Sequence, residues 1–63
     1  MDNHKPYIRV TSGMRGYFPV LLVWDEEMKF YEPYLTGSTC KTYDEAVSAA
    51  EEWAEAEELE YRP

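Results

Sequence analysis

The stretch TYDEAVSAAEEWAEAEELEY, residues 42–61, decides the fold. Its apolar side chains recur at helical spacing. At ~100° per residue, Tyr43, Ala46, Val47, Ala50, Trp53 and Ala54 form one stripe, and Asp44, Glu45, Ser48, Glu51, Glu52, Glu55 and Glu58 lie opposite it. Thr42 and Glu45 have the T-x-x-E spacing of a capping box, in which the hydroxyl accepts the N3 amide and the carboxylate accepts the cap amide. Asp44 and Glu45 also suit the positive end of the helix dipole. The spacing predicts one helix over 42–61. Its three alanines let the backbone approach a sheet, and Trp53 fills the remaining volume.

Upstream, the period changes from 3.6 to 2. Residues 7–11 (YIRVT) alternate and are rich in β-branched and aromatic types, as a strand requires. Residues 12–16 (SGMRG) form a loop. Residues 17–24 (YFPVLLVW) are an almost unbroken apolar run, consistent with a strand covered on both faces. Pro19 cannot donate to a ladder, so it belongs near the strand's start, at a bulge or towards an open edge. Asp25, Glu26 and Glu27 make a polar turn, residues 28–34 (MKFYEPY) a third strand, and residues 35–41 a polar connection. The expected fold is α+β: a three-stranded antiparallel meander with one C-terminal helix on one face, βββα, in a single domain over residues 1–63.

Pairing Thr11 with Tyr17, and Trp24 with Lys29, puts Ile8, Val10, Phe18, Val20, Leu22, Trp24 and Tyr31 on one face, under the helix. Tyr17, Leu21, Val23, Met28 and Phe30 then lie on the other. A slip of one residue would exchange the faces. In this register the second face is too apolar for ordinary exposure. Tyr17, Leu21 and Phe30 are therefore expected to form an interface, either of a homodimer or with a different protein.

Composition narrows the function classes. A 63-residue chain buries roughly 60% of its unfolded surface and is marginally stable alone. Its 44% hydrophobic and 16% aromatic content nevertheless excludes a disordered tail. The single cysteine, Cys40, cannot form an internal disulfide and fits a reducing compartment. No signal-peptide stretch or run of ~18 apolar residues occurs, so the expected location is cytoplasmic, without a membrane partner. Thirteen acidic against six basic residues give a net charge of −7. That weighs against direct binding to nucleic acid or anionic lipid, where Lys and Arg supply the affinity. It suits a basic partner.

Nothing in the sequence assembles catalysis. His4 is the only histidine and lies in the N-terminal arm. Cys40 has no histidine near it in sequence. One Cys and one His do not make a zinc site, and Asp25, Glu26 and Glu27 lack EF-hand spacing. No phosphate-cradling glycine motif is present. The chain is read as a non-enzyme without metal or cofactor. What remains is the acidic ridge. Eight carboxylates and no basic side chain occur in residues 42–61. Like charges at i, i+3 and i, i+4 repel by a few tenths of a kcal/mol, and acids near the helix C-terminus oppose the dipole. Surface charge aids solubility in any case, but a rigid row of carboxylates can also stand in for a nucleic-acid backbone before a basic groove.

Phe18-Pro19-Val20, the acidic turn Asp25-Glu26-Glu27, Pro33-Tyr34-Leu35-Thr36-Gly37 and Thr42-Tyr43-Asp44-Glu45-Ala46 resemble, in order, the motifs of the N-terminal domain of HicB-type antitoxins. The resemblance covers about two-thirds of the chain. Thr36 stands where that family has a second proline, and the family's DNA-binding tail is absent. It implies a domain that binds and blocks a small RNA-cleaving toxin, with no catalysis of its own. By size and charge the chain is also similar to small phage counter-defence proteins, including anti-CRISPR proteins.

These readings converge on stoichiometric inhibition of a basic protein that handles nucleic acid, either a defence effector or a toxin. Phage counter-defence is favoured because the tail that serves repression is missing. Glu51, Glu52, Glu55 and Glu58 are the expected contacts, with Asp25, Glu26 and Glu27 extending the patch. The rival class is a small structural or assembly protein of a phage.

Overall fold

The computed structural model describes residues 4–63. Along the chain run β1 (Tyr7–Gly13), β2 (Gly16–Asp25), β3 (Phe30–Thr36), α1 (Tyr43–Glu57) and β4 (Glu60–Tyr61). The α+β class is as expected. The sheet is not a three-stranded meander: it has four strands in the order β3-β2-β1-β4, with β4 parallel to β1.

The fourth strand exists because the helix stops early. Glu58 adopts left-handed backbone geometry (φ 57, ψ 43). Its amide donates to the Glu55 carbonyl at 3.3 Å and that of Leu59 to the Ala54 carbonyl at 2.7 Å. This is the paired hydrogen bonding of a Schellman motif, usually built on glycine. Beyond it the period returns to 2. Leu59 and Tyr61 pack against the core, and the Arg62 amide donates to the Ile8 carbonyl at 2.9 Å. At the other end the expected capping box is present, with Glu45 N–H donating to Thr42 Oγ1 at 3.2 Å and Thr42 N–H donating to Glu45 Oε1 at 3.3 Å.

The register also differs, and it exchanges the faces of β2. Ile8 lies opposite Leu21, Val10 opposite Pro19 and Thr11 opposite Phe18. The first hairpin closes through Met14 and Arg15 alone, so Ser12 and Gly13 belong to the strand. The second hairpin takes a longer turn than expected. Asp25 Oδ1 accepts the amides of Glu27 at 2.9 Å and Met28 at 3.2 Å, while Asp25 O accepts that of Lys29 at 2.8 Å. This carboxylate-held turn absorbs Met28 and Lys29, and Trp24 comes opposite Tyr31 rather than Lys29. Directly opposed residues share a face. Tyr17 and Leu21 therefore join Ile8 and Val10 beneath the helix, and Phe18, Leu22, Trp24 and Tyr31 lie on the uncovered side.

The core is small. Ile8 is fully enclosed, and Val10, Ala46, Ala50 and Ala54 pack with it. Trp53, Val47, Leu59 and Tyr61 close its margins. The alanine stripe does what its spacing predicts.

Two prolines and two glycines shape the edges. The Pro19 carbonyl accepts the Gly37 amide at 2.8 Å, just past the last β2–β3 pair, Val20 with Thr36. The missing donor of Pro19 thus faces the end of the β3 ladder. A Cβ on Gly37 would stand 2.7 Å from Pro19 Cγ. Pro33 sits on the edge strand, beside the register shift that leaves Tyr34 without a Cα partner in β2. Past Gly37 the chain returns to β2, where Tyr17 and Cys40 exchange two backbone hydrogen bonds of 2.9 and 2.6 Å. Gly16 makes that approach possible: its φ is +144°, and a Cβ there would fall 2.1 Å from the Cys40 carbonyl oxygen.

Candidate protein-binding surface

Helix α1 packs on β1, β2 and β4 and does not reach β3. Its outer side is entirely solvated. Glu51, Glu52 and Glu55, together with Ser48, line one open depression of about 210 Å³. Their grouping follows from helix geometry: these positions stand opposite the Ala46-Ala50-Ala54 stripe that is fixed to the sheet. Among the described residues, the ion pairs are Lys29 with Glu26 at 3.7 Å and Arg62 with Glu60 at 2.8 Å. Neither cation reaches the depression. The last helical turn holds no basic side chain, so nothing along the helix offsets the C-terminal end of the dipole.

Glu51 is tied to the fold electrostatically. The Tyr61 phenol is held above its usual pKa by burial, by Tyr43 and by the neighbouring Glu51 carboxylate. Glu51 therefore lies on the β4 side of the helix. Glu58, placed on the same ridge from sequence, does not line the depression. The left-handed residue takes it off the helical spiral.

Asp25, Glu26 and Glu27 form the hairpin tip, and two of them have local work. Asp25 holds the turn amides. Its carboxyl also lies close to that of Glu32. This contact, then the turn amides, draws Asp25 below the ordinary 3.8, while hydrogen bonding to Asp25 raises Glu32 above 4.5. Glu26 makes an exposed ion pair with Lys29, a contribution of less than about 1 kcal/mol.

The expected apolar interface is divided by the helix, which covers its β2 part and leaves β3 bare. Tyr17 is partly buried beside the core and meets the Tyr43 ring edge-on at 5.7 Å. Leu21 also packs against the core. Phe30 remains 47% exposed at the start of β3. Met28, Tyr34 and Leu35 are exposed beside it in sequence, because the helix leaves this edge bare.

The face opposite the helix carries a second cluster that the sequence reading did not group. The His4 ring stacks on Trp24 with centroids 3.5 Å apart and planes within 6°. Tyr31 meets Trp24 edge-on at 5.2 Å and Tyr7 at 4.7 Å. The Arg62 guanidinium lies 4.3 Å from the Tyr7 ring centroid. The Tyr31 hydroxyl donates to the Lys5 carbonyl at 2.9 Å.

Among the described residues, no group of three or more His, Cys, Asp or Glu side chains is arranged to hold a metal ion. No helix among them is long and apolar enough to cross a membrane. The chain matches no family model, no curated protein and no solved structure.

Proposed function

We propose that this protein is a non-catalytic inhibitor whose acidic helix occupies the basic surface of a protein that handles nucleic acid. One observation carries the reading. Glu51, Glu52 and Glu55 converge on a single solvent-open depression, and among the described residues the ion pairs lie elsewhere, at Lys29–Glu26 and Arg62–Glu60. Such a group repels itself, and it is held rigid by an alanine stripe buried on the opposite side. A basic groove relieves that repulsion by binding, as it does with phosphates. Phe30 adds an apolar contact at the bare edge of β3, where Tyr34 and Leu35 are also exposed.

Phage counter-defence of the anti-CRISPR kind is the context we favour; neutralisation of an RNA-cleaving toxin uses the same surface. The reading is tested by inhibition. Wild-type protein is titrated into purified CRISPR effector complexes and RNA-cleaving toxins, and nucleic-acid binding is followed at increasing salt. Inhibition that weakens with salt and disappears on reversing Glu51, Glu52 and Glu55 to lysine supports it. A small assembly protein would instead self-associate with or without that reversal.

A further inference from the structure

The chain is acidic as a whole, but its charge is segregated by face. On β1, Ile8 and Val10 point into the core, so Tyr7 and Arg9 project from the opposite face. Arg62 shares that face, as its position over the Tyr7 ring shows. Lys5 is beside them: its carbonyl accepts from Tyr31, and its charge helps lower the Glu60 carboxyl. Three of the six basic residues thus border one aromatic cluster. Among the described residues, the acid on this face is Glu60, and it is paired with Arg62. The carboxylates of α1 lie on the far side of the sheet, those of Asp25 and Glu32 project towards the helix side, and those of Glu26 and Glu27 lie at the hairpin tip.

We infer that the uncovered sheet face binds single-stranded nucleic acid through base stacking on Trp24, Tyr7 and Tyr31 and phosphate contacts from Lys5, Arg9 and Arg62. Aromatic side chains interleaved with cations on an open sheet are what unpaired bases need, because every base offers a π-face and every linkage a charge. The His4–Trp24 stack shows that the indole face takes a flat heteroaromatic ring at 3.5 Å. A base takes the place of that ring on the indole face. A duplex hides its base faces and does not fit. This surface is distinct from the acidic helix, so the inference stands or falls separately from the inhibitory reading.

The test uses the intact chain with Trp53→Phe, so that fluorescence reports Trp24 alone. Oligo(dT) and oligo(U) of about ten nucleotides are titrated at low salt, with a duplex of equal length beside them. The expected result is quenching by both single strands and not by the duplex. Lys5→Glu with Arg9→Glu, both at exposed positions, weakens binding by about tenfold or more with an unchanged circular dichroism spectrum. The Glu51, Glu52 and Glu55 reversal does not weaken it. The inference is overturned if folded protein gives no quenching by either strand, or if the duplex binds as well. It is also overturned if the Trp24 signal follows protein concentration instead, since a second copy then covers the face.

Discussion

The amide of Leu59 donates to the carbonyl of Ala54 at 2.7 Å, and this bond turns the chain out of the helix and into β4. It also places Glu58 in left-handed geometry, which costs a non-glycine residue about 1–2 kcal/mol. Glu58→Gly removes that cost and one acid from the negative end of the dipole. The substitution is expected to raise stability by about 1 kcal/mol, or roughly 4–8 °C in Tm for a domain of this size, measured by thermal unfolding. Because Glu58 lies outside the depression of Glu51, Glu52 and Glu55, inhibition should be unchanged.

Gly16 and Gly13 face each other across the first hairpin and should respond differently to alanine. At Gly16 the new Cβ meets a backbone oxygen at 2.1 Å with φ at +144°; at Gly13 it meets the ring edge of Phe18 at 2.9 Å. Backbone cannot yield as a side chain does. Gly16→Ala is expected to cost about 2 kcal/mol or more and to break the Tyr17–Cys40 bridge. Gly13→Ala should cost less. Denaturant midpoints of the two variants check the order.

Ile8 is the largest fully buried side chain and joins the helix to the sheet. Ile8→Ala is expected to cost about 2–5 kcal/mol, which in a core of this size leaves little or no folded population. Loss of the circular dichroism signal at 25 °C would show it; retention of the wild-type midpoint would contradict the described core.

The Asp25–Glu32 pair makes the hairpin pH-sensitive. Asp25 is lowered in the folded state, so its contribution is present above its unfolded value and is lost as pH falls through the lowered one. Glu32 is raised, so its contribution is present below its unfolded value and is lost as pH rises through the raised one. The two together favour the hairpin most at a pH between the lowered Asp25 and the raised Glu32 midpoints. Carboxyl chemical shifts should titrate below 3.8 for Asp25 and above 4.5 for Glu32. In Glu32→Ala the Asp25 midpoint should move up, because its largest lowering contact is gone.

The helix was legible in the sequence because three signals agree: the capping box, the alanine spacing and the acidic far side. Its end was not, because Glu58-Leu59-Glu60-Tyr61 satisfies both periods. In so short a stretch only the reach of Leu59 and Tyr61 to the core decides between helix and strand. The strands were legible as segments, but their register was not. The first hairpin closes through Met14 and Arg15, and the resulting one-residue shift against the expected pairing decides which face of β2 meets Ile8 and Val10; the Asp25 turn moves β3 by two residues and leaves its faces unchanged. The acidic depression could be read from sequence because a helix fixes its own faces. The aromatic face could not, since its members come from the arm, three strands and the segment after β4, and they meet only once the register is known.

The inhibitory role rests on Glu51, Glu52 and Glu55, and one titration addresses it directly. Wild-type protein and the variant with all three changed to lysine are compared as inhibitors of nucleic-acid binding across the CRISPR effector and RNA-cleaving toxin panel, with folding of both verified by circular dichroism. The account predicts that wild type displaces nucleic acid from at least one of these proteins, less effectively as salt rises, and that the reversed variant does not. A folded variant that inhibits as well as wild type, or a wild type that inhibits none of them, would contradict it.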